Sequence, residues 1–246
     1  MDPETFSVLR KLAERHTGQR LEQAKATLFA TRLKRFAFRS GYSDIEDIAK
    51  YLDVRDEGSN LDLQIATAML DRHSCFVPER GLYETLLDEC IRPALTAAAD
   101  VRFRIWFAGC GTGQEVYSLL MMLRNRLASE QAERIEIVAT DISDEALLKA
   151  NTGYYSHFEV QLGLSARNLV QYFAPGPENT WRISTELARR IAFKSHNLLD
   201  SGEAFGAFDL ILCRNVLNEM TEEHRALATR NLEACLQTGG RLYIDP

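Results

Sequence analysis

Residues 103–120 read FRIWFAGCGTGQEVYSLL. The segment Phe103–Ala108 is almost wholly apolar and is followed by glycine. It is too short for a helix and has the pattern of a strand buried on both faces. Gly109, Gly111 and Gly113 follow at once, and glycines so placed let the backbone take positive φ and come close to a ligand. From Glu115 to about Leu127 the apolar residues recur at helical spacing. A strand, a glycine turn and a helix in that order open a parallel α/β sheet.

Downstream the alternation continues. IEIVAT (135–140) is a second strand, and a helix opens at Ser143 and stops at Gly153. Residues 154–190 interrupt the pattern. They hold the turn APGPEN (174–179), flanked by Tyr172-Phe173 and by Trp181-Arg182-Ile183, which predicts a small antiparallel insert. RRIAFKSHNLL and FDLILCRNV resume the α/β order, a helix runs from about Thr221 to Leu236 with Gly239-Gly240 as its cap, and RLYID is the last strand.

Upstream the pattern is helical. Asp2-Pro3 is an N-cap followed by proline at the first helical position, with Phe6, Leu9 and Leu12 on one face. Leu21, Ala24, Leu28, Phe29, Leu33 and Phe36 continue at helical spacing. Ser43-x-x-Glu46 is a capping box before Ile45, Ile48 and Leu52. Asn60 caps a helix through Met69, residues 71–80 are irregular, and a longer helix covers Leu82 to about Ala98. The expected division is a helical domain over 1–80 and an α/β domain over 81–246, with 154–190 inserted in the latter.

Composition narrows the function. Of 246 residues, 46% are apolar and 26% charged, which is globular composition. No run approaches the roughly 18 apolar residues of a membrane span, and the N-terminus lacks a signal-peptide core. The five cysteines show no C-x-x-C pair and read as reduced thiols of a cytoplasmic protein. The histidines show no metal-ligand spacing, so no metal is expected. Residues 1–40 carry nine Lys/Arg against four acids, a net of +5, and the formal total of −6 leaves −11 for the rest. An acidic body is wrong for a nucleic-acid clamp. The basic head suits an acidic partner, or is simply a solvated helix face.

The glycine turn is not a dinucleotide fingerprint. G-x-G-x-x-G needs glycine at 114, where Gln114 stands, and Glu115 puts a negative charge where a pyrophosphate would sit. Asp141, with Ile142 beside it, ends the second strand, and a carboxylate there accepts both hydroxyls of a ribose. S-adenosylmethionine carries such a ribose, no phosphate, and cationic sulfonium and amino groups, so an acidic turn suits it.

Together the segments WFAGCGTGQEVYSLL, ATDISDEALLKANTGYY, VQYF, HNLL and FDLILCRNV resemble the CheR family of chemotaxis receptor (protein-glutamate) O-methyltransferases. The likeness runs over essentially the whole chain. It implies a doubly wound class I methyltransferase domain of Rossmann-like form, an N-terminal helical domain and a small antiparallel β insert. It implies cofactor contacts from Ala108, Gly109 and Glu115 beside the turn glycine Gly111, from Asp141 to the ribose, from Asn197 and Leu198 near the adenine, and from Asn215 and Val216 near the methionine moiety. The basic N-terminal helices match the part that docks on a receptor's acidic helical bundle. The short turn after Tyr172-Phe173 matches relatives that bind no receptor tail peptide.

The reaction needs no general base, because a glutamate with a pKa of about 4.3 is already ionised at neutral pH. It needs alignment of the two reactants and an offset for taking a carboxylate out of water, which suits an arginine. Here the chain departs from the family. The family's N-x-T-x-F-F-R loop is replaced by Arg72-His73-Ser74-Cys75-Phe76-Val77-Pro78, with proline for the arginine, and Glu219 stands at a tyrosine position beside the transferring methyl. Either the cation has moved to Arg72 or Arg80, with Ser74 in place of threonine, or catalysis is lost and the protein is an S-adenosylmethionine-binding regulator or adaptor. A nucleic-acid methyltransferase is disfavoured by CRNV where a D/N-P-P-Y/F strand end would stand. The family sheet also continues beyond the position of Pro246, so a longer chain or self-association is expected to cover that sheet edge.

Overall fold

The computed structural model describes residues 2–54, 60–70, 74–76, 80–97 and 101–245, without the side chains of residues 53, 54 and 80. Arg72, His73, Val77 and Pro78 lie outside the described residues, and so does the side chain of Arg80. The chain falls into two compact units: Met1–Asp71 with Asn197–Ser201 and Asn215–Asn231, and Arg72–His196 with Gly202–Arg214 and Leu232–Pro246.

In the first unit, helix Pro3–Thr17 begins where the Asp2 carboxylate accepts the amides of Glu4 and Thr5 at 3.0 and 2.9 Å. Helix Ile45–Val54 begins one residue later than the Ser43 capping box would have it. Asp44 is the cap, accepting the Asp47 amide at 2.9 Å. A second departure is Leu28, which is 42% exposed, while Phe29, Leu33 and Phe36 of the same helix Ala26–Arg39 are buried. Positions 29, 33 and 36 share one helical stripe and position 28 lies about 100° around from it. Phe6, Leu9, Phe29, Leu33, Ile48 and Ile65 form the centre of this core, each stabilising it by roughly 1.5–3 kcal/mol. Arg10, Lys11, Arg15, Lys34, Arg35 and Arg39 are left exposed.

The second unit is built on a sheet of β1 (Phe103–Ala108), β2 (Ile135–Asp141), β6 (Ile191–Ser195), β7 (Phe208–Cys213) and β8 (Leu236–Ile244), in the order β6-β2-β1-β7-β8. All four pairings are parallel, so each needs a crossover, and the order reverses at β1, where an open α/β sheet forms its binding crevice. Helix Gln114–Arg126 buries Val116, Leu119, Leu120 and Leu123 in the core with Ile105 and Phe107 of β1. The other face carries Trp106, whose ring lies 5.3 Å from Phe208 and 5.7 Å from Phe205 and whose indole N–H donates to Thr140 Oγ1 at 2.9 Å. β3 (Tyr154–Ser156), β4 (Phe173–Pro175) and β5 (Thr180–Ile183) form the separate antiparallel sheet, in the order β3-β5-β4.

The glycine pair near the end serves a different purpose from the one expected. The last helix stops at Glu233, and Gly239-Gly240 lie within β8, where the register with β7 shifts between Phe208 and Leu210. A Cβ at Gly240 would stand 2.8 Å from the Phe208 carbonyl oxygen, so the irregular pairing requires glycine there. The long helix before β1 contains a π-turn, Leu87–Ile91, between Arg80–Leu86 and Arg92–Ala97. Pro93 has no N–H to donate to that turn.

Candidate functional site

The turn after β1 is folded back onto β2 by its own backbone. The Gly109 and Cys110 amides both donate to the Thr140 carbonyl at 2.8 Å, and Gly109, Gly111 and Gly113 all have positive φ. Gly113 precedes the helix at φ 87°, and a Cβ there would meet Ala150 Cβ at 2.9 Å. Both the conformation and the close approach of helix Asp144–Thr152 exclude a side chain at this position.

Asp141, at the C-terminal end of β2, ties this turn to the next helix. Its Oδ2 accepts the Gly111 amide at 2.8 Å and its Oδ1 accepts the Ser143 amide at 2.9 Å. Ser143 is the N-cap, accepting from Ala146 N–H at 3.3 Å. Asp141 and Ile142 are half-buried, and Ala108 is buried at the end of β1.

Gln114, where a dinucleotide fingerprint would have glycine, is 2% exposed and its side chain is clasped. The Ser74 hydroxyl donates to its Oε1 at 2.7 Å and the Thr112 hydroxyl at 2.5 Å, while its amide donates to Glu159 at 3.4 Å. Glu159 belongs to the insert. Burial would raise its pKa, but hydrogen bonds from Lys149 and Ser156 outweigh that and lower it. The Tyr155 hydroxyl of β3 donates to the Thr112 carbonyl at 2.7 Å. Phe76 packs edge-on against Tyr155 at 5.0 Å and Phe173 at 5.6 Å. Ser74 is thereby held against the glycine turn, and the insert supports both.

Outside the strand ends lies a small crevice lined by Ser74, Phe107, Gly109, Glu115, Leu212 and Arg214. Arg214 of that lining bridges two carboxylates. Arg214 Nη1 lies 3.3 Å from Glu115 Oε2, and its Nε lies 2.8 Å from Asp245 Oδ1. The Tyr83 hydroxyl donates to Glu115 Oε2 at 3.3 Å. Burial alone would lower the pKa of Arg214, but its bond to Asp245 and the charge of Glu115 outweigh this and raise it. Burial, and then Glu115, push Tyr83 well above the usual phenol value. Burial and Glu115 likewise raise the Cys75 thiol. Arg214 and Tyr83 had no assigned role in the sequence reading, because nothing local marks a lone arginine or tyrosine as the partner of a distant acid.

The remaining predicted residues belong to the first unit. Asn197 donates from Nδ2 to the His16 carbonyl at 2.8 Å and accepts the Leu199 amide at 3.1 Å. Leu198 is 6% exposed, and its carbonyl accepts from Asn231 at 3.0 Å. Asn215 is exposed in the left-handed region at φ 57°, and Val216 is half-buried. Glu219 ends the short helix Leu217–Glu219, and its carboxylate pairs with Lys25 at 3.6 Å. Its backbone carbonyl accepts the Arg20 amide at 2.7 Å. The carboxylate that stood out in the sequence as the wrong charge therefore has a cationic partner.

No helix among the described residues is long and apolar enough to cross a membrane. The family model "CheR methyltransferase, SAM binding domain" matches residues 73–245. The chain is 28% identical over 242 residues to chemotaxis protein methyltransferase Cher2 of Pseudomonas putida, covering 97% of this chain and 88% of that protein. It is 30% identical over 244 residues to chemotaxis protein methyltransferase 1 of Pseudomonas aeruginosa, again covering 97% and 88%. Among solved structures, a TehB-like SAM-dependent methyltransferase from Corynebacterium glutamicum matches at 18% identity and a TM-score of 0.36, over 66% of this chain and 67% of that one.

Proposed function

The chain belongs to the CheR methyltransferase family, and from that premise we propose that it methylates glutamate side chains of chemotaxis-type receptors, with S-adenosylmethionine as donor. The donor, when bound, supplies an electrophilic methyl on a sulfonium. The observation that carries the reading is the pair of carboxylates set beside the glycine turn at the strand-end crevice. Glu115 faces it, Asp141 stands at the end of β2, and the glycine turn offers room for backbone approach. Such a site suits a ligand with a ribose and cationic groups and repels a pyrophosphate.

In this reading Asp141 accepts the ribose hydroxyls, Glu115 meets the amino group, and Ala108, Gly109, Gly111 and Ile142 form the wall. Asn197, Leu198, Asn215 and Val216 keep the family's adenine-side and methionine-side roles. The chain's residues align the acceptor glutamate and exclude water from it. Both supply transition-state stabilisation that a pre-ionised nucleophile still requires. Residues 1–80 act as the docking domain, and the exposed basic residues of helices Pro3–Thr17 and Ala26–Arg39 are its contact with an acidic helical bundle. Phe38, 87% exposed between Lys34 and Arg39, would add an apolar anchor.

The experiment is transfer of labelled methyl from S-adenosylmethionine to a panel of receptor cytoplasmic fragments, with the product tested for base lability. Label that appears on glutamate and is released by base supports the reading. Donor binding without transfer to any receptor sinks it. A second reading, a donor-binding adaptor without catalysis, rests on Glu219 at the family's tyrosine position. In that case the inactive protein would gain activity when Pro78→Arg and Glu219→Tyr are combined.

A further inference from the structure

Arg214 is buried, with only 7% of its side chain exposed, and it sits between two acids that are 11% and 15% exposed. It immediately follows β7, Asp245 immediately follows β8, and these strands pair in parallel with Cys213 opposite Ile244. Glu115 comes from the first turn of helix Gln114–Arg126 and Tyr83 from helix Arg80–Leu86. Four elements thus converge on one guanidinium. Its Nε donates to Asp245 Oδ1 at 2.8 Å and its Nη1 to Glu115 Oε2 at 3.3 Å. Tyr83 completes the arrangement, its hydroxyl 3.3 Å from the same Glu115 oxygen and 3.5 Å from the Glu115 carbonyl.

The geometry points to Arg214 as the positioning residue for Glu115: anchored on Asp245, it holds the acid that meets the donor's amino group in the crevice. The inference rests on the donor-binding reading of Glu115. A carboxylate on a helix's first turn has several rotamers, and two fixed donors reduce them to one aim. The charges agree with this role. One guanidinium between two carboxylates leaves a net of −1, so the cluster still attracts a cation although Glu115 is paired. Arginine suits this position better than lysine, because a planar fork reaches two acids in different directions while an ammonium acts as a point charge. A purely structural ion pair between the ends of β7 and β8 would need only Asp245 and Arg214. The contact of Arg214 with Glu115 on a helix that opens at the glycine turn exceeds that need.

The test is a double-mutant cycle read by calorimetric titration of S-adenosylmethionine into the full chain, with thermal stability recorded beside it. Glu115→Gln and Arg214→Gln should each weaken donor binding at least tenfold, and the double variant should bind no more weakly than Glu115→Gln alone. Arg214→Lys should fall between wild type and Arg214→Gln, and it serves as the readout if the glutamine variant does not fold. A further tenfold loss on adding either Arg214 substitution to Glu115→Gln overturns the inference, and so does wild-type affinity in Arg214→Lys and Arg214→Gln alike. Wild-type affinity in Glu115→Gln with lost affinity in Asp141→Asn overturns it while leaving the donor reading intact. Absence of donor binding in the wild type overturns both.

Discussion

Replacing Lys25 by glutamine tests how this chain tolerates a carboxylate at position 219. The Lys25 ammonium lies 3.6 Å from Glu219 Oε2, and the two side chains are 38% and 41% exposed. Unit charges at such a distance interact by about 1 kcal/mol in bulk water, and exposed pairs measured in cycles contribute roughly 0.2–1 kcal/mol. Stability should therefore fall by no more than about 1 kcal/mol. The larger consequence concerns the reaction. If Glu219 faces the acceptor glutamate, Lys25 is what offsets their repulsion, and its loss should slow transfer roughly fivefold, the rate equivalent of about 1 kcal/mol. The assay is the initial rate of base-labile label on a receptor fragment for wild type, Lys25→Gln, Glu219→Gln and the double variant. The double variant should match Glu219→Gln, and high salt should shrink the Lys25→Gln effect. An equal loss from Lys25→Gln in the Glu219→Gln background would mean that Lys25 acts elsewhere, and the reasoning would be refuted.

Other outcomes follow from the same contacts. Gly113→Ala should cost roughly 2–3 kcal/mol, combining left-handed backbone strain with the 2.9 Å approach to Ala150, and lower the melting temperature by roughly 5–10 °C; an unchanged melting temperature contradicts it. Asp141→Asn should weaken S-adenosylmethionine binding at least about tenfold, by losing a charged acceptor, and should destabilise the turn because an amide nitrogen would face either Gly111 or Ser143 N–H. For Glu159 the folded pKa is lowered from 4.5, so its stabilisation is fully present above that unfolded value and is lost as pH falls through the folded value. The melting-temperature gap between wild type and Glu159→Gln should stay constant from neutral pH to about 5 and close below it; a gap independent of pH rejects the assignment.

The sheet was legible because its strands are short apolar runs that stop at a glycine or polar residue (Gly109, Asp141, His196 and Arg214), and β1, β2, β6 and β7 fall where those runs do. Helix ends marked by a single strong residue were also legible, as at Asp2, Ser143 and Gly153. The misreadings have local causes. Ser43 and Asp44 are both good caps, and only the path of the chain selects the second. Gly239-Gly240 carry the signal of a helix stop, yet their use is a close approach to the Phe208 carbonyl. The Glu115–Arg214–Asp245 cluster was not legible, since its members lie 99 and 31 residues apart and no periodicity links them. The Lys25 partner of Glu219 escaped for the same reason.

The most direct test of the account is a single-turnover experiment, with the chain saturated with labelled S-adenosylmethionine and mixed with receptor cytoplasmic fragments. The account predicts tight donor binding by calorimetry, followed by label on receptor glutamates that mild base releases. Donor binding followed by no label on any receptor would contradict it.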